Sequence, residues 1–206
     1  MKKKDIFEVF ASIIKDAVKN QPKRNKLVFL DEKISLKSDL KKLVIQSDNA
    51  DVWINSSSDN MLHCLIVGNV AENSTPNVDI ALKNSGDTFN IDVFDKTKPD
   101  AQVSIMIEVP MSIFYIKLLN ENGDVKLKSV SLKDGLLADL NNGDIDIKEC
   151  QITDILAKNH NGDICLKNID CDKCSLKSCN GDIIIKEVNS KTKIITHTSN
   201  GDIIRN

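Results

Sequence analysis

Apolar and polar residues alternate along most of this chain, and the alternation restarts at a near-constant interval. Val125 and Leu127, Ile145 and Ile147, Ile164 and Leu166, Ile183 and Ile185, and then Ile203 begin successive runs. Period-two alternation marks a strand with one buried face. Each run follows the same tripeptide: Asn122-Gly123-Asp124, Asn142-Gly143-Asp144, Asn161-Gly162-Asp163, Asn180-Gly181-Asp182 and Asn200-Gly201-Asp202. The glycines stand 20, 19, 19 and 20 residues apart. Another apolar position comes seven residues after each of the first four glycines, at Val130, Cys150, Ile169 and Val188. Leu136 and Ala138, Ile155 and Ala157, Cys174 and Leu176, and Ile194 and Thr196 precede the next glycine by seven and five residues. The pattern predicts two strands and two bends in every unit.

Units of constant length and constant inward register stack on one another. Equivalent strands then pair in parallel about 4.8 Å apart, and the inward aliphatics form ladders. The expected fold is all-β, a parallel β-solenoid of 19–20-residue two-strand coils. A degenerate repeat extends it upstream: Asn84-Ser85-Gly86-Asp87 precedes Phe89, Ile91 and Val93, and Asn49-Ala50-Asp51 precedes Val52 and Ile54. From Ser38 onward this spacing predicts eight or nine coils, about 40 Å of rod at one strand spacing each. The other reading of the upstream half is an antiparallel meander feeding the regular stack.

The first residues follow another period. Ile6, Phe10, Ile13 and Ala17 recur at helical spacing, with Phe7, Ile14 and Val18 widening the stripe, until Pro22. Residues 1–24 are expected to be an amphipathic helix and a basic linker (Lys19 to Lys26), and residues 25–206 the solenoid. Lys2–Lys4 resemble the start of a secretory signal, but Asp5 and Glu8 interrupt the apolar run it needs. A cytoplasmic location follows as an expectation. Peripheral contact with the inner face of the membrane through residues 1–24 is its extension.

Composition narrows the function classes. Of 206 residues, 41% are hydrophobic but only 4% aromatic, so the core must be Ile, Leu and Val. Thirty acidic residues against 28 basic ones leave a formal charge of -2, which argues against a nucleic-acid binder. His63, His160 and His197 are isolated, and no nucleophile elbow, zincin helix or phosphate loop occurs. No enzymatic activity and no cofactor is expected.

The repeated "NGDI.I" strand, Val109-Pro110 leading into "IFYIKLLNENGDVKL", and "LVIQSDNADVWI" near the start resemble the bacterial putative-adhesin family. The resemblance covers Ser38 to Asn206. It implies a β-solenoid domain of unknown function, found in low-GC Gram-positive bacteria and sometimes tied to envelope stress.

Four sets of residues carry the candidate chemistry. The Asn-Gly-Asp triplets read as structural turns: Asn and Gly accept left-handed backbone angles, and Asp accepts backbone N–H groups just beyond it. On that basis Gly162→Ala costs about 1–2 kcal/mol. The turn aspartates also form a potential calcium ladder, but their period does not match the nonapeptide calcium repeat, and no metal site is assigned. Lys128, Lys148, Lys167 and Lys186 fall five residues after their glycines, and Lys158 and Lys177 align on the other strand. These columns suit an anionic cell-envelope polymer, or serve only solubility and edge protection. Six cysteines include Cys171 and Cys174 in a C-x-x-C pair. Cys150, Cys171 and Cys174 occupy positions where other repeats carry Val, Ile or Leu, so they read as buried free thiols rather than zinc ligands or disulfides.

The expected function is a non-enzymatic binding module that presents its repetitive outer faces, or its ends, to a protein or polymer. The solenoid ends also offer a route to a homo-oligomer, because Ile203-Ile204-Arg205 stops half a coil after its turn. The alternative is a membrane-surface component of envelope-stress signalling.

Overall fold

A computed structural model describes residues 24–71, 77–96 and 101–205. The helix expected before Pro22 lies outside the described residues. The basic segment does not persist as a linker through Lys26, because the first strand already starts at Arg24.

The upstream half contains β1 (Arg24–Ile34), β2 (Lys42–Ser47), β3 (Ala50–Ser56), β4 (Leu62–Ala71), β5 (Val78–Ser85), β6 (Thr88–Asp95) and β7 (Ala101–Val109). The downstream half contains β8 (Tyr115–Asn122), β9 (Val125–Lys128), β10 (Ser131–Leu132), β11 (Gly135–Asn142) and β12 (Ile145–Asn161). It continues with β13 (Ile164–Asn180), β14 (Ile183–Ser190), β15 (Ile195–Asn200) and β16 (Ile203–Arg205). All sixteen belong to one hydrogen-bonded sheet that coils around a shared core.

Each downstream coil has three faces rather than two. Pairing between β12 and β13 skips Glu149 and Thr153, and at both places two successive side chains point outward. One corner is the Asn-Gly-Asp turn. The second is a single left-handed residue six positions after the glycine: Ser129, Glu149, Asn168 or Glu187, with φ of 57, 56, 54 and 53°. The third lies between Ile152 and Ile155 and at equivalent places in neighbouring coils. The apolar residues Val130, Cys150 and Ile169 thus belong to a short third face, which β10 begins. Its corner was invisible in the sequence because Ser, Glu and Asn share no turn signature there.

Seven parallel strands, in the order β6, β2, β8, β11, β12, β13, β15, build the first long face. The second holds β7, β3, β9, β12, β13, β14 and β16. Aliphatic ladders run through both. Ile105, Val52, Val125, Ile145, Ile164 and Ile183 stack in register with essentially no solvent exposure. The ladder reaches Ile203, which is 43% exposed on the last described layer.

Spatial order departs from chain order upstream. The β2–β3 coil sits between the β6–β7 and β8–β9 coils, so Ile45 pairs with both Ile91 and Leu118. β4 and β1 extend the second face antiparallel, and β5 extends the first. The upstream region is therefore neither a run of regular coils nor a simple meander, and seven layers replace the eight or nine expected. The resemblance at Asn84-Ser85-Gly86-Asp87 was misleading. Ser85 pairs with Thr88 across a two-residue hairpin with Gly86 at φ +59°, and Phe89, Ile91 and Val93 lie on the face that precedes a corner. Asn49-Ala50-Asp51, by contrast, lies directly against Gly123-Asp124.

Candidate functional site: stacked columns on the coil surface

The five Asn-Gly-Asp triplets stack in one corner column, joined by backbone bonds from glycine N–H to the next asparagine carbonyl and by two ladders of side-chain hydrogen bonds. Each asparagine amide donates to the side-chain oxygen of the asparagine one coil earlier: Asn142 to Asn122 at 2.9 Å, Asn161 to Asn142 at 2.7 Å, Asn180 to Asn161 at 2.8 Å, and Asn200 to Asn180 at 2.8 Å. Asn122 ends the ladder on the Asp48 carbonyl at 2.9 Å. Each aspartate carboxylate from Asp124 to Asp182 accepts a backbone N–H at 2.7–3.0 Å, but from the aspartate of the next coil rather than from residues just beyond it. The series starts at Asp51, which accepts from Asp124. Burial raises the Asp51 pKa above its usual value.

The glycine between them is required by close approach. At Gly162 the backbone has φ +128°, and an added methyl would lie 2.8 Å from the Gly143 carbonyl carbon and 2.9 Å from Asn159 Nδ2. A side chain at this position meets the backbone of the coil below. The left-handed angle expected from the sequence does not include this obstruction, which comes from the neighbouring coil.

A third ladder lies just inside the column. The glycine carbonyls point inward, where no strand partner reaches them, and side chains three residues before the next glycine supply the donors. Asn159 Nδ2 reaches Gly143 O at 2.6 Å, Ser178 Oγ reaches Gly162 O at 3.1 Å, and Thr198 Oγ1 reaches Gly181 O at 2.9 Å. In the second coil the position is Leu140, which cannot donate. Asn120 compensates by serving both Ala50 O at 2.8 Å and Gly123 O at 3.1 Å, while Ser47 Oγ donates to Asn120 Oδ1 at 2.6 Å. A buried carbonyl without a donor costs about 1–3 kcal/mol, so polar residues persist in this otherwise apolar column. The signal was present in the sequence as Asn120, Asn159, Ser178 and Thr198 where alternation demands an aliphatic.

Lys128, Lys148, Lys167 and Lys186 pair in register on the second long face, their side chains directed outward. Lys148 contacts the Asp146 carboxylate, which holds its ammonium pKa above the ordinary value, and Lys128 lies 3.7 Å from Glu149. Lys167 and Lys186 are exposed and form no ion pair among the described residues. Lys158 and Lys177 pair on the first face, as the sequence placed them.

Cys64, Cys150, Cys171 and Cys174 are buried, Cys165 and Cys179 half-buried, and all six are free thiols. Cys171 stacks on Ile152 and Cys174 on Ile155, so the C-x-x-C pair fills two aliphatic positions. Burial pushes the Cys174 thiol up to about 12 and the Cys150 thiol to about 11. Such thiols are neither nucleophiles nor ready metal ligands at neutral pH. Among the described residues no three His, Cys, Asp or Glu side chains converge as a metal-ligand set, and no helix is long and apolar enough to cross a membrane.

The chain is similar to solved structures that span nearly all of its length. A putative cell adhesion protein from Clostridium sporogenes is 11% identical, with 90% of this chain and 100% of that chain covered and a TM-score of 0.44. A putative adhesin from Bacteroides fragilis is 14% identical, with 90% and 99% covered and a TM-score of 0.46. A putative lipid binding protein from Parabacteroides distasonis is 10% identical, with 90% and 98% covered and a TM-score of 0.27. No curated protein matches the chain. The Toastrack DUF4097 family profile matches residues 40–206, from just before β2 to the last coil. The chain belongs to the Toastrack DUF4097 family.

Proposed function

We propose that this protein is a non-enzymatic binding module, and that its second long face holds a linear polyanion of the kind found in bacterial envelopes. The lysine column is the observation that carries this reading. Stacked ammonium groups about 4.8 Å apart repel one another by about 1 kcal/mol even in water. Asp146 and Glu149 relieve that repulsion at Lys148 and Lys128, whereas Lys167 and Lys186 form no ion pair among the described residues. A polymer with regularly spaced anionic groups would supply it along the rod. Catalysis brings unlike groups together at one reacting atom, whereas register here places like beside like, an arrangement suited to holding a repetitive ligand.

The test is binding of dextran sulfate and inorganic polyphosphate, with neutral dextran as control, to the wild type and to the double variant Lys167→Glu/Lys186→Glu. The variant is expected to bind at least about tenfold more weakly at low salt. Its log K against log salt slope should be shallower by about 1.5 for two lost contacts. Equal affinity and equal slope for the two proteins would overturn the assignment.

A further inference from the structure

The short third face offers a different surface. Between the left-handed corner and the third corner, four successive coils leave a groove of about 500 Å³ running along the rod. Its central column is Ser131, Gln151, Asp170 and Asn189, paired in register and all exposed. The column therefore presents a hydroxyl, an amide, a carboxylate and a second amide, one per coil. Asn189 Nδ2 donates to Asp170 Oδ1 at 3.2 Å, while the Gln151 amide makes no side-chain hydrogen bond among the described residues. The rim balances its charge. Lys191 is 2.7 Å from Asp172, and the Lys133 ammonium stands 4.9 Å from the centre of the Phe114 ring. With Asp170 included, two lysines face two carboxylates, so the groove is close to neutral, unlike the lysine column around the corner.

We infer that this groove binds an uncharged, extended polysaccharide, one sugar ring per coil. The lining offers both donors and acceptors, through the Ser131 hydroxyl, the Gln151 amide and the Asp170 carboxylate, and a chain of hydroxyl groups can pair with both. Its repeat is one coil, about 4.8 Å, and a pyranose ring linked through opposite corners advances by about that distance. An extended peptide advances about 3.3 Å per residue, or 3.1 Å as polyproline II, and drifts out of step within two coils. A polyanion gains nothing from a neutral lining. The floor is the edge-on backbone of the short face above Leu132, Ile152 and Cys171, whose side chains point into the core. The groove is accordingly shallow, rigid and built for length, with affinity that accumulates over several rings.

The experiment titrates the ¹⁵N-labelled protein with cellotetraose, chitotetraose, the matching disaccharides and a Gly-Ser tetrapeptide. A tetrasaccharide is expected to shift the side-chain amide signals of Gln151 and Asn189 saturably, and to bind about tenfold more tightly than its disaccharide. The double variant Gln151→Leu/Asn189→Leu changes only exposed positions. It should lose at least about tenfold in that affinity while keeping its melting temperature and its binding to dextran sulfate. The inference is overturned if neither tetrasaccharide moves those signals at about 10 mM, if chain length makes no difference, or if the tetrapeptide shifts them equally.

Discussion

The downstream strands β8–β16 and the upstream strands β1–β7 contribute to the same coiled sheet, but they reach their places differently. Downstream, each strand lies beside the one 19–20 residues further on, and the glycine of every Asn-Gly-Asp corner lets one coil settle onto the carbonyl of the last. Upstream, Ile45 lies between residues 46 and 73 positions away, at Ile91 and Leu118. The corner there is Asn49-Ala50-Asp51, and Ala50 tolerates its side chain because it starts β3 and pairs with Val103 in the extended strand β7. The Asp51 carboxylate still receives the Asp124 N–H as its downstream counterparts do. The column thus depends on carbonyl and carboxylate positions repeating, while glycine is needed only where a corner stacks on another tight corner.

The sharpest way to break this comparison is at the glycines. Gly162→Ala should cost about 3 kcal/mol or more, since an unfavourable backbone region and a collision with the coil below act together. Gly86→Ala, at the upstream hairpin where an added methyl meets nothing within 4 Å, should cost only about 1 kcal/mol. Urea denaturation of the two variants measures both, and equal losses would remove the distinction between corner and hairpin.

Severing the asparagine ladder comes next. Asn161→Ala removes the bond donated to Asn142 and the one accepted from Asn180. A loss of about 2 kcal/mol is expected at about 1 kcal/mol per bond. A loss under about 0.5 kcal/mol would show that the ladder follows from stacking rather than supporting it.

The smallest effect is a pH dependence. Cys174 is held protonated by burial, with its pKa pushed up to about 12 from an ordinary 9.0. Its contribution is complete below pH 9, where folded and unfolded thiols are both protonated. It is lost as pH rises from 9 toward 12, because only the unfolded chain ionises freely. At pH 10 the wild type should have lost about 1 kcal/mol through this thiol, and Cys174→Val should lack that part of the decline. Parallel stability curves for the two proteins between pH 8 and 10.5 would contradict the burial of Cys174.

Much of the downstream architecture could be read from the sequence, for a physical reason. When neighbouring coils are neighbours in the chain, the period of the residues is the period of the structure, so Asn142-Gly143-Asp144 and Lys148 could be placed before any coordinates. The left-handed corner at Glu149 is not legible in the sequence because its side chain carries no turn preference, only a position. The donors Asn159 and Ser178 were legible as breaks in an apolar column, but their purpose appears only once the glycine carbonyls are seen pointing inward. Upstream, the partner of β2 is chosen by which edge remains open when the whole sheet assembles, and nothing local to Leu43 or Ile45 encodes that choice. The Asn84–Asp87 segment shows the converse hazard, since a hairpin and a coil corner draw on the same residue types.

The most direct test of stacking by register rather than by chain order is the methyl environment of Ile45 in a selectively ¹³C-methyl-labelled sample. The account predicts nuclear Overhauser contacts from Ile45 to both Ile91 and Leu118. Contacts instead to residues one coil length further along the chain, around Cys64 and Ile66, with none to Leu118, would contradict it.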